Sequence, residues 1–352
     1  MASSATLRDV AELAGVSIGT ASQALNNRPN VSPETRARVL DAALSVGYQM
    51  KDPPPSTETN LSVIGMLTKN DFGLPITANA FYSYVQAGVE SECRKLNIGL
   101  MYATIIVDQQ NRPVTWPTMI SEQRIDGLIL IGTFIPGTID RIVRRAEIPV
   151  VLVDSYAPNL NFDSVLTDNA QGAASAVHYL IDQGHQHIGL IGSNPDSPPS
   201  IAERRSSYLA ALKARGIEQA YVQDSFLYME SGYEATKRLL KTSPQVTAIF
   251  ACNDEVAIGA LRAARDLGLD VPRDLSVVGF DNTDMAKNVT PALTTVHVHK
   301  TWMGVIGLRH LLDRAQNPDR PKVTTLVSTQ LIIRDSVRSL KPQAGSAGKQ
   351  AD

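Results

Sequence analysis

Residues 7–14, LRDVAELA, place Leu7, Val10, Ala11 and Ala14 at i, i+3, i+4 and i+7, the single apolar stripe of an amphipathic helix. Thr6 stands where a cap accepts the first free amide, and Gly15 supplies a left-handed stop. A short turn later Ser17 is placed to cap a second helix, IGTASQALN. A third opens at Ser32 with Pro33 and Glu34 in its first turn. It is expected to carry Val39, Leu40, Ala43 and Leu44 inward and to stop at Gly47. Three short helices, the first two joined by a tight glycine turn, make the helix-turn-helix pattern.

From residue 61 the rhythm changes. Short apolar runs (LSVIGML, IGLMYA, GLILIG, PVVLV, HIGLIG, TAIFAC, SVVGF) are separated by amphipathic stretches such as YSYVQAGVESECRKL, AQGAASAVHYLIDQG, EVAIGALRAARDLG and WMGVIGLRHLLDRA. Strand and helix alternating in this way predict an α/β fold of doubly wound parallel sheets, and about 280 residues suffice for two lobes. Between the two patterns lies KDPPPSTETN, residues 51–60, a Pro-rich linker. The tail from 340, small and polar, predicts disorder.

Both regions carry candidate chemistry. Thr20, Ser22, Gln23, Asn26 and Asn27 give the second helix a face of short hydrogen-bonding side chains, with small Ala21 and Ala24 behind. That face suits phosphate oxygens and base edges, and it equally suits a solvated helix in a small bundle. In open parallel sheets a ligand lies beyond the carboxyl ends of the strands. There PVVLV runs into Asp154, TAIFAC into Asn253 and Asp254, and SVVGF into Asp281 and Asn282, while Arg204 and Arg205 supply donors near a helix start. Any of these Asx residues could instead cap a helix. We expect the cap at Asp254, directly before a helix, and ligand contact at Asp281.

Composition narrows the classes. The 352 residues are too many for one core. No apolar run is long enough to span a membrane, and MASSATLRDV has no apolar h-region, so a cytoplasmic protein is expected. Cys93 and Cys252, far apart, predict two reduced, buried thiols. A net charge of -2 does not attract polyanions, and within residues 1–50 four arginines meet four carboxylates. Specific binding there would rest on hydroxyls, amides and helix ends, with dimerisation raising affinity. No dinucleotide, phosphate-loop or serine-hydrolase motif occurs, so no cofactor and no enzymatic activity are predicted. His297 and His299 share a strand face without a third metal ligand nearby, so no metal site is expected. His185 and His187 are expected to serve a helix C-terminus.

The segment TLRDVAELAGVSIGTASQALNNRPNVSPETRARVLDAALSVGY resembles, nearly end to end, the DNA-binding domain of the lactose-repressor/galactose-repressor family. The shared pattern is T-x-x-D-V-A-x-x-A-G-V-S-x-x-T-x-S-x-x-L-N, then V-S-x-x-T-R-x-x-V and G-Y. By this resemblance Ile18, Gly19 and Gln23 are base-reading positions, while Thr20, Ser22 and Asn26 contact the DNA backbone and fix the helix. Thr6, Ser17, Asn30 and Tyr48 fall at further DNA-contacting positions. Gln23 replaces the family's usual arginine and Ala21 its usual valine. Glutamine pairs with adenine where arginine prefers guanine, at about 1–3 kcal/mol per good contact, so the operator preference is expected to deviate.

The similarity continues through LTDNAQGAASAVHYLIDQGHQHIGLIG, the stretch from AIFACNDEVAIG to VTPALTTV, and STQLIIRDS. It implies a periplasmic-binding-protein-like core with one lobe of about 61–165 and 294–325 and another of about 166–293 and 326–339. Arg204, Asn253 and Asp281 match effector positions, Phe81 and Tyr82 belong to a cleft-lining start, and Asp154 joins them. Ser207 and Ala80 depart from the family's glycine and proline. The resemblance implies a homodimeric transcriptional regulator, a repressor, that binds a pseudo-palindromic operator under the control of a carbohydrate effector. A nucleobase or other metabolite also fits such a site, and a solute-binding protein is the alternative class. Two features differ from the family. Pro53, Pro54 and Pro55 disfavour the usual hinge helix and leave a polyproline-like strut, with Thr57 near the place of the wedging leucine. The tail lacks a leucine heptad, so a dimer is expected and not a tetramer.

Overall fold

The computed structural model describes residues 5–25, 31–48, 61–71, 80–108, 112–132, 134, 136–157 and 161–341. Asn26, Asn30, the linker 51–60 and the tail from 342 lie outside the described residues. The chain divides into two compact units, Met1–Glu58 and Thr59–Asp352.

The first unit holds α1 (Leu7–Ala14), α2 (Ile18–Leu25) and α3 (Pro33–Ser45). Each start is fixed by a local cap. The Thr6 hydroxyl accepts from the Asp9 amide while the Asp9 carboxylate accepts from Thr6, a reciprocal pair that leaves neither end unbonded. Ser17 Oγ accepts from Thr20 N at 3.0 Å, and Ser32 Oγ from Thr35 N at 3.2 Å. Gly15 takes φ 63°, which lets its amide close α1 and turns the chain sharply into α2. Val10, Ala11, Ala14, Ala21, Ala24, Val39, Ala42 and Ala43 form the core. Leu40 and Leu44, expected inside, are instead 39% and 81% exposed. The two partner helices cover α3 only along Val39, Ala42 and Ala43, so that residues one position further round face solvent.

The second unit runs β1 (Val63–Asp71), α4 (Ala80–Leu96), β2 (Gly99–Val107), α5 (Thr118–Ser121), β3 (Gly127–Ile131), α6 (Pro136–Ala146), β4 (Val150–Val153) and β5 (Asp163–Thr167). It continues through α7 (Asn169–Asp182), β6 (Ile188–Ile191), α8 (Pro199–Ala214), β7 (Tyr221–Gln223), α9 (Met229–Thr242), β8 (Ala248–Ala251), α10 (Asp254–Asp266) and β9 (Ser276–Asp281). It ends with α11 (Asp284–Asn288), β10 (Thr294–His297), α12 (Lys300–Gln316), β11 (Thr324–Val327) and β12 (Gln330–Ile332). One sheet has the order β11-β5-β4-β3-β1-β2, wholly parallel, and the other β12-β10-β9-β8-β6-β7, parallel except for β12. Central strands such as Gly127–Ile131 and Ala248–Ala251 are buried throughout, as continuous apolar runs covered by helices on both faces require.

The chain passes between lobes after β5, after β10 and after β11. The second passage corrects the expected boundary at residue 294. Thr294–His297 pairs with β9 in the second sheet, and the first lobe is rejoined only at α12, which packs on α4. Likewise β11 keeps residues to Val327 in the first sheet, beyond the expected limit at 325. Asp163, at the edge of the first lobe, is fully buried and holds Arg314 and Arg320, anchoring α12 and the following loop to β5.

Cys93 and Cys252 are buried and unbridged. The His185 amide closes the end of α7 on the Leu180 carbonyl, but the His185 and His187 rings do not serve that helix end. The His185 ring bonds the Thr247 hydroxyl and the Arg338 carbonyl, burial lowering its pKa to about 4, and His187 bonds Tyr221. No helix among the described residues is long and apolar enough to cross a membrane.

Candidate functional site

The helix α2 shows one buried and one open side. Ala21 and Ala24 are buried, while Ser17, Ile18, Gly19 and Gln23 are exposed, and Thr20 and Ser22 are half-buried between them. Ser17 and Thr20 bond each other at 2.8 Å, so both hydroxyls stand at the N-terminus of α2, where free amides attract anions. Gln23 has no hydrogen-bond partner among the described residues. Tyr48 is half-buried against the three-helix core, and Thr6 is engaged in the α1 cap. These side chains are uncharged; Asn26 and Asn30 lie outside the described residues.

In the second unit all six expected cleft residues line one cavity of about 170 Å³. The first lobe contributes Phe81 and Tyr82 from the start of α4 and Asp154 from the end of β4. Opposite them stand Arg204 of α8, Asn253 after β8 and Asp281 at the end of β9. Ser200, Glu255 and Thr283 also line it, and sequence reasoning missed them; each lies within three residues of a strand end or a helix start, the only signal that could have found them.

Arg204 is 5% exposed and held rigidly. Its Nε donates to Asn169 Oδ1 at 2.9 Å, Nη1 donates to the Cys252 carbonyl, and its guanidinium lies 3.6 Å from the Phe280 ring centroid. Asn169 in turn donates to the Tyr156 hydroxyl, which donates to Glu203 at 2.9 Å. Nη2 keeps no acceptor among the described residues, and so remains available to a ligand. Asp281 Oδ1 lies 3.6 Å from Arg204 Nη1 and is buried without a hydrogen bond. Burial pushes the Asp281 carboxyl up to about 7, against the pull of Arg204. Asp154 accepts from the Tyr82 hydroxyl at 3.0 Å and is likewise pushed up by burial, to about 6. One guanidinium thus stands between two reluctant carboxylates, beside an edge-to-face pair of rings, Phe81 and Tyr82, whose centroids are 5.2 Å apart. Such a site donates to, and accepts from, several hydroxyls at once.

The cap expected at Asp254 is made by its neighbour. Asn253 Oδ1 accepts from Val256 N at 2.9 Å and its Nδ2 donates to the Leu227 carbonyl, so this amide lines the cavity while bonded within the protein. Asp254 is instead the first residue of α10, fully buried, accepting from Thr295 Oγ1 and Thr283 N. Arg205 turns away to Asp224 at 2.6 Å. The His297 and His299 rings meet edge to face, and no cluster of three or more metal-ligating side chains occurs among the described residues.

Comparison with known proteins joins the two regions. Residues 6–50 match the model of bacterial regulatory proteins of the lacI family, and residues 177–337 match the periplasmic binding protein-like domain. The HTH-type transcriptional repressor CytR of Escherichia coli (strain K12) is 34% identical over 341 residues, covering 96% of this chain and 97% of its own. The ribose operon repressor of Haemophilus influenzae is 33% identical over 96% of this chain and 100% of its own. Among solved structures, a complex of the transcriptional regulator CelR with cellobiose shares 28% identity at a TM-score of 0.68, over 94% of this chain and 99% of that one. With a helix-turn-helix headpiece, a two-lobed core and full-length similarity of this kind, the chain belongs to the LacI family of effector-controlled, DNA-binding transcriptional regulators.

Proposed function

We propose that the cavity between the lobes is the effector site and that the effector is a carbohydrate. The observation that carries this reading is the pairing of Arg204 and Asp281 from one lobe with Asp154, Tyr82 and Phe81 from the other. Carboxylates and a guanidinium take the hydroxyls of a polyol in paired bonds, and the aromatic rings take its C–H faces. A ribose operon repressor among the relatives and a cellobiose-bound neighbour support the same class. A nucleobase-bearing effector is the second reading, favoured by the two rings at the cavity wall.

In this reading the protein acts as a repressor in the cytoplasm. A homodimer sets two copies of α2 in successive major grooves of a pseudo-palindromic operator. Ile18, Gly19 and Gln23 read base edges; Thr6, Ser17, Thr20, Ser22, Asn26, Asn30 and Tyr48 hold the backbone. A ligand touching both lobes favours the closed arrangement, and its effect on DNA affinity equals its differential affinity for the two states. A thermal-shift screen over ribose, cellobiose, other mono- and disaccharides, nucleosides and free nucleobases tests the effector class. A true effector at about 100 times its dissociation constant stabilises by roughly 2.7 kcal/mol. Failure of every sugar, with a shift from a free nucleobase, would replace the first reading by the second.

A further inference from the structure

The Asp281 carboxylate sits on an unusual turn. Asp281 and Asn282 have φ of 106° and 50°, left-handed values that a non-glycine residue keeps only where its surroundings impose them. Most of the restraint comes from the second lobe. Asn282 N donates to Thr295 Oγ1 at 3.3 Å and Thr283 N to Asp254 Oδ2 at 2.6 Å. Arg334 Nη2 donates to Asn282 Oδ1 at 2.6 Å, and Asn282 Nδ2 meets His297 Nδ1 at 3.0 Å. The two carbonyls of the turn are held from the other lobe. Lys300 Nζ, at the first residue of α12, donates to the Asp281 carbonyl and, at 3.4 Å, to that of Asn282.

Burial and the helix oppose a lysine there, while Asp281, Asp254 and Asp284 attract its charge. It is 5% exposed, and a cation in the first turn opposes the helix dipole. Its ammonium lies 5.8 Å from the Phe81 centroid and 5.5 Å from that of Tyr84, between the cavity wall and a second bond across the lobes, from the Tyr84 hydroxyl to Asp284 of α11. The close packing of α4 on α12 sets this position. A Cβ on Gly88 would run into the Thr301 carbonyl, and one on Gly304 into that of Val85.

We propose that Lys300 is a positioning residue for the effector site: from the start of α12 it bonds the Asp281 and Asn282 carbonyls, fixes the turn and aims the Asp281 carboxylate at the ligand. The inference rests on the reading of the cavity as the effector site. Its test uses the full chain without ligand, comparing amide hydrogen exchange in the wild type, Lys300→Met, Lys300→Arg and Tyr84→Phe.

Lys300→Met should speed exchange at Asn282 and Thr283 by roughly tenfold or more, as expected for an eased local opening, while the amides of Val277 and Val278 stay protected. Lys300→Arg should restore most of the protection, and Tyr84→Phe should loosen the turn less. Unchanged exchange in Lys300→Met overturns the proposal. So does equal acceleration throughout β8 and β9, which would mark a merely structural lysine. Ribose serves as the binding probe, with Lys300→Met expected to raise its Kd more than tenfold and Lys300→Arg much less. Should ribose leave the wild type unaffected, the effector reading fails on that point, while the exchange result still decides whether Lys300 positions the turn.

Discussion

The two working surfaces of this chain are built on opposite terms. The open side of α2 is uncharged and carries Ser17, Ile18, Gly19 and Gln23, all exposed to solvent. The cavity of the second unit is small and buries one guanidinium with two carboxylates whose ionisation burial opposes. A surface meant for a hydrated polyanion can leave its donors in water until the partner comes. A site meant for a small molecule must desolvate its charged groups beforehand, and holds them with other protein groups, as Asn169 and Phe280 hold Arg204. Specificity should therefore be adjustable on α2 at little structural cost, whereas substitutions in the cavity should disturb the fold as well as the ligand.

That contrast predicts its largest effect at Arg204. Arg204→Leu strands Asp281 and Asn169 and should destabilise the core by about 3–5 kcal/mol in urea unfolding, with the headpiece unaffected. A loss below about 1 kcal/mol would show that the cavity is not held as described. Gln23→Ala, by contrast, should leave stability unchanged and cost about 1–3 kcal/mol of discrimination at one operator base pair, with the salt slope nearly constant. A uniform loss over all sequences would make Gln23 a phosphate contact.

A third effect separates the regions by pH. The Asp281 carboxyl is raised to about 7 in the fold, so the native state holds its proton over a range where the unfolded chain has released it. Its contribution to stability is present at low pH and is lost as pH rises from the ordinary carboxylate range through about 7. A neutral polyol donating hydroxyls to the ionised carboxylate should therefore bind more tightly at pH 8 than at pH 6, and Asp281→Asn should flatten that profile. Headpiece binding to DNA should show no such step. The smallest effect is expected at Leu44, 81% exposed on α3, where Leu44→Ala should stay within about 0.5 kcal/mol.

What was legible in the sequence followed from local interactions. The caps at Thr6, Ser17 and Ser32 and the stop at Gly15 involve neighbours within a few residues, and the structure contains them all. Strand ends carrying Asp154, Asn253 and Asp281 were visible because parallel sheets collect their carboxyl ends on one edge. Periodicity located a stripe on α3 but not its extent, since how much of a short helix is covered depends on its partners. Hence Leu40 and Leu44 were misplaced. The sheet to which Thr294–His297 belongs, and the bonds of His185 to Thr247 and Arg338, depend on pairings made across long stretches of chain. For the same reason Asn169, Tyr156 and Lys300 had no sequence signal, because their partners lie 13 to 47 residues away, and those of Lys300 in another lobe.

The central claim is that ligand in the cavity governs DNA binding by α2. It is tested most directly by titrating the full chain against a selected operator duplex, with and without the effector identified by thermal shift, for wild type and Asp281→Ala. The effector should shift wild-type operator affinity and leave Asp281→Ala bound to the operator but indifferent to the ligand. An Asp281→Ala protein that answers the effector as the wild type does would contradict the claim.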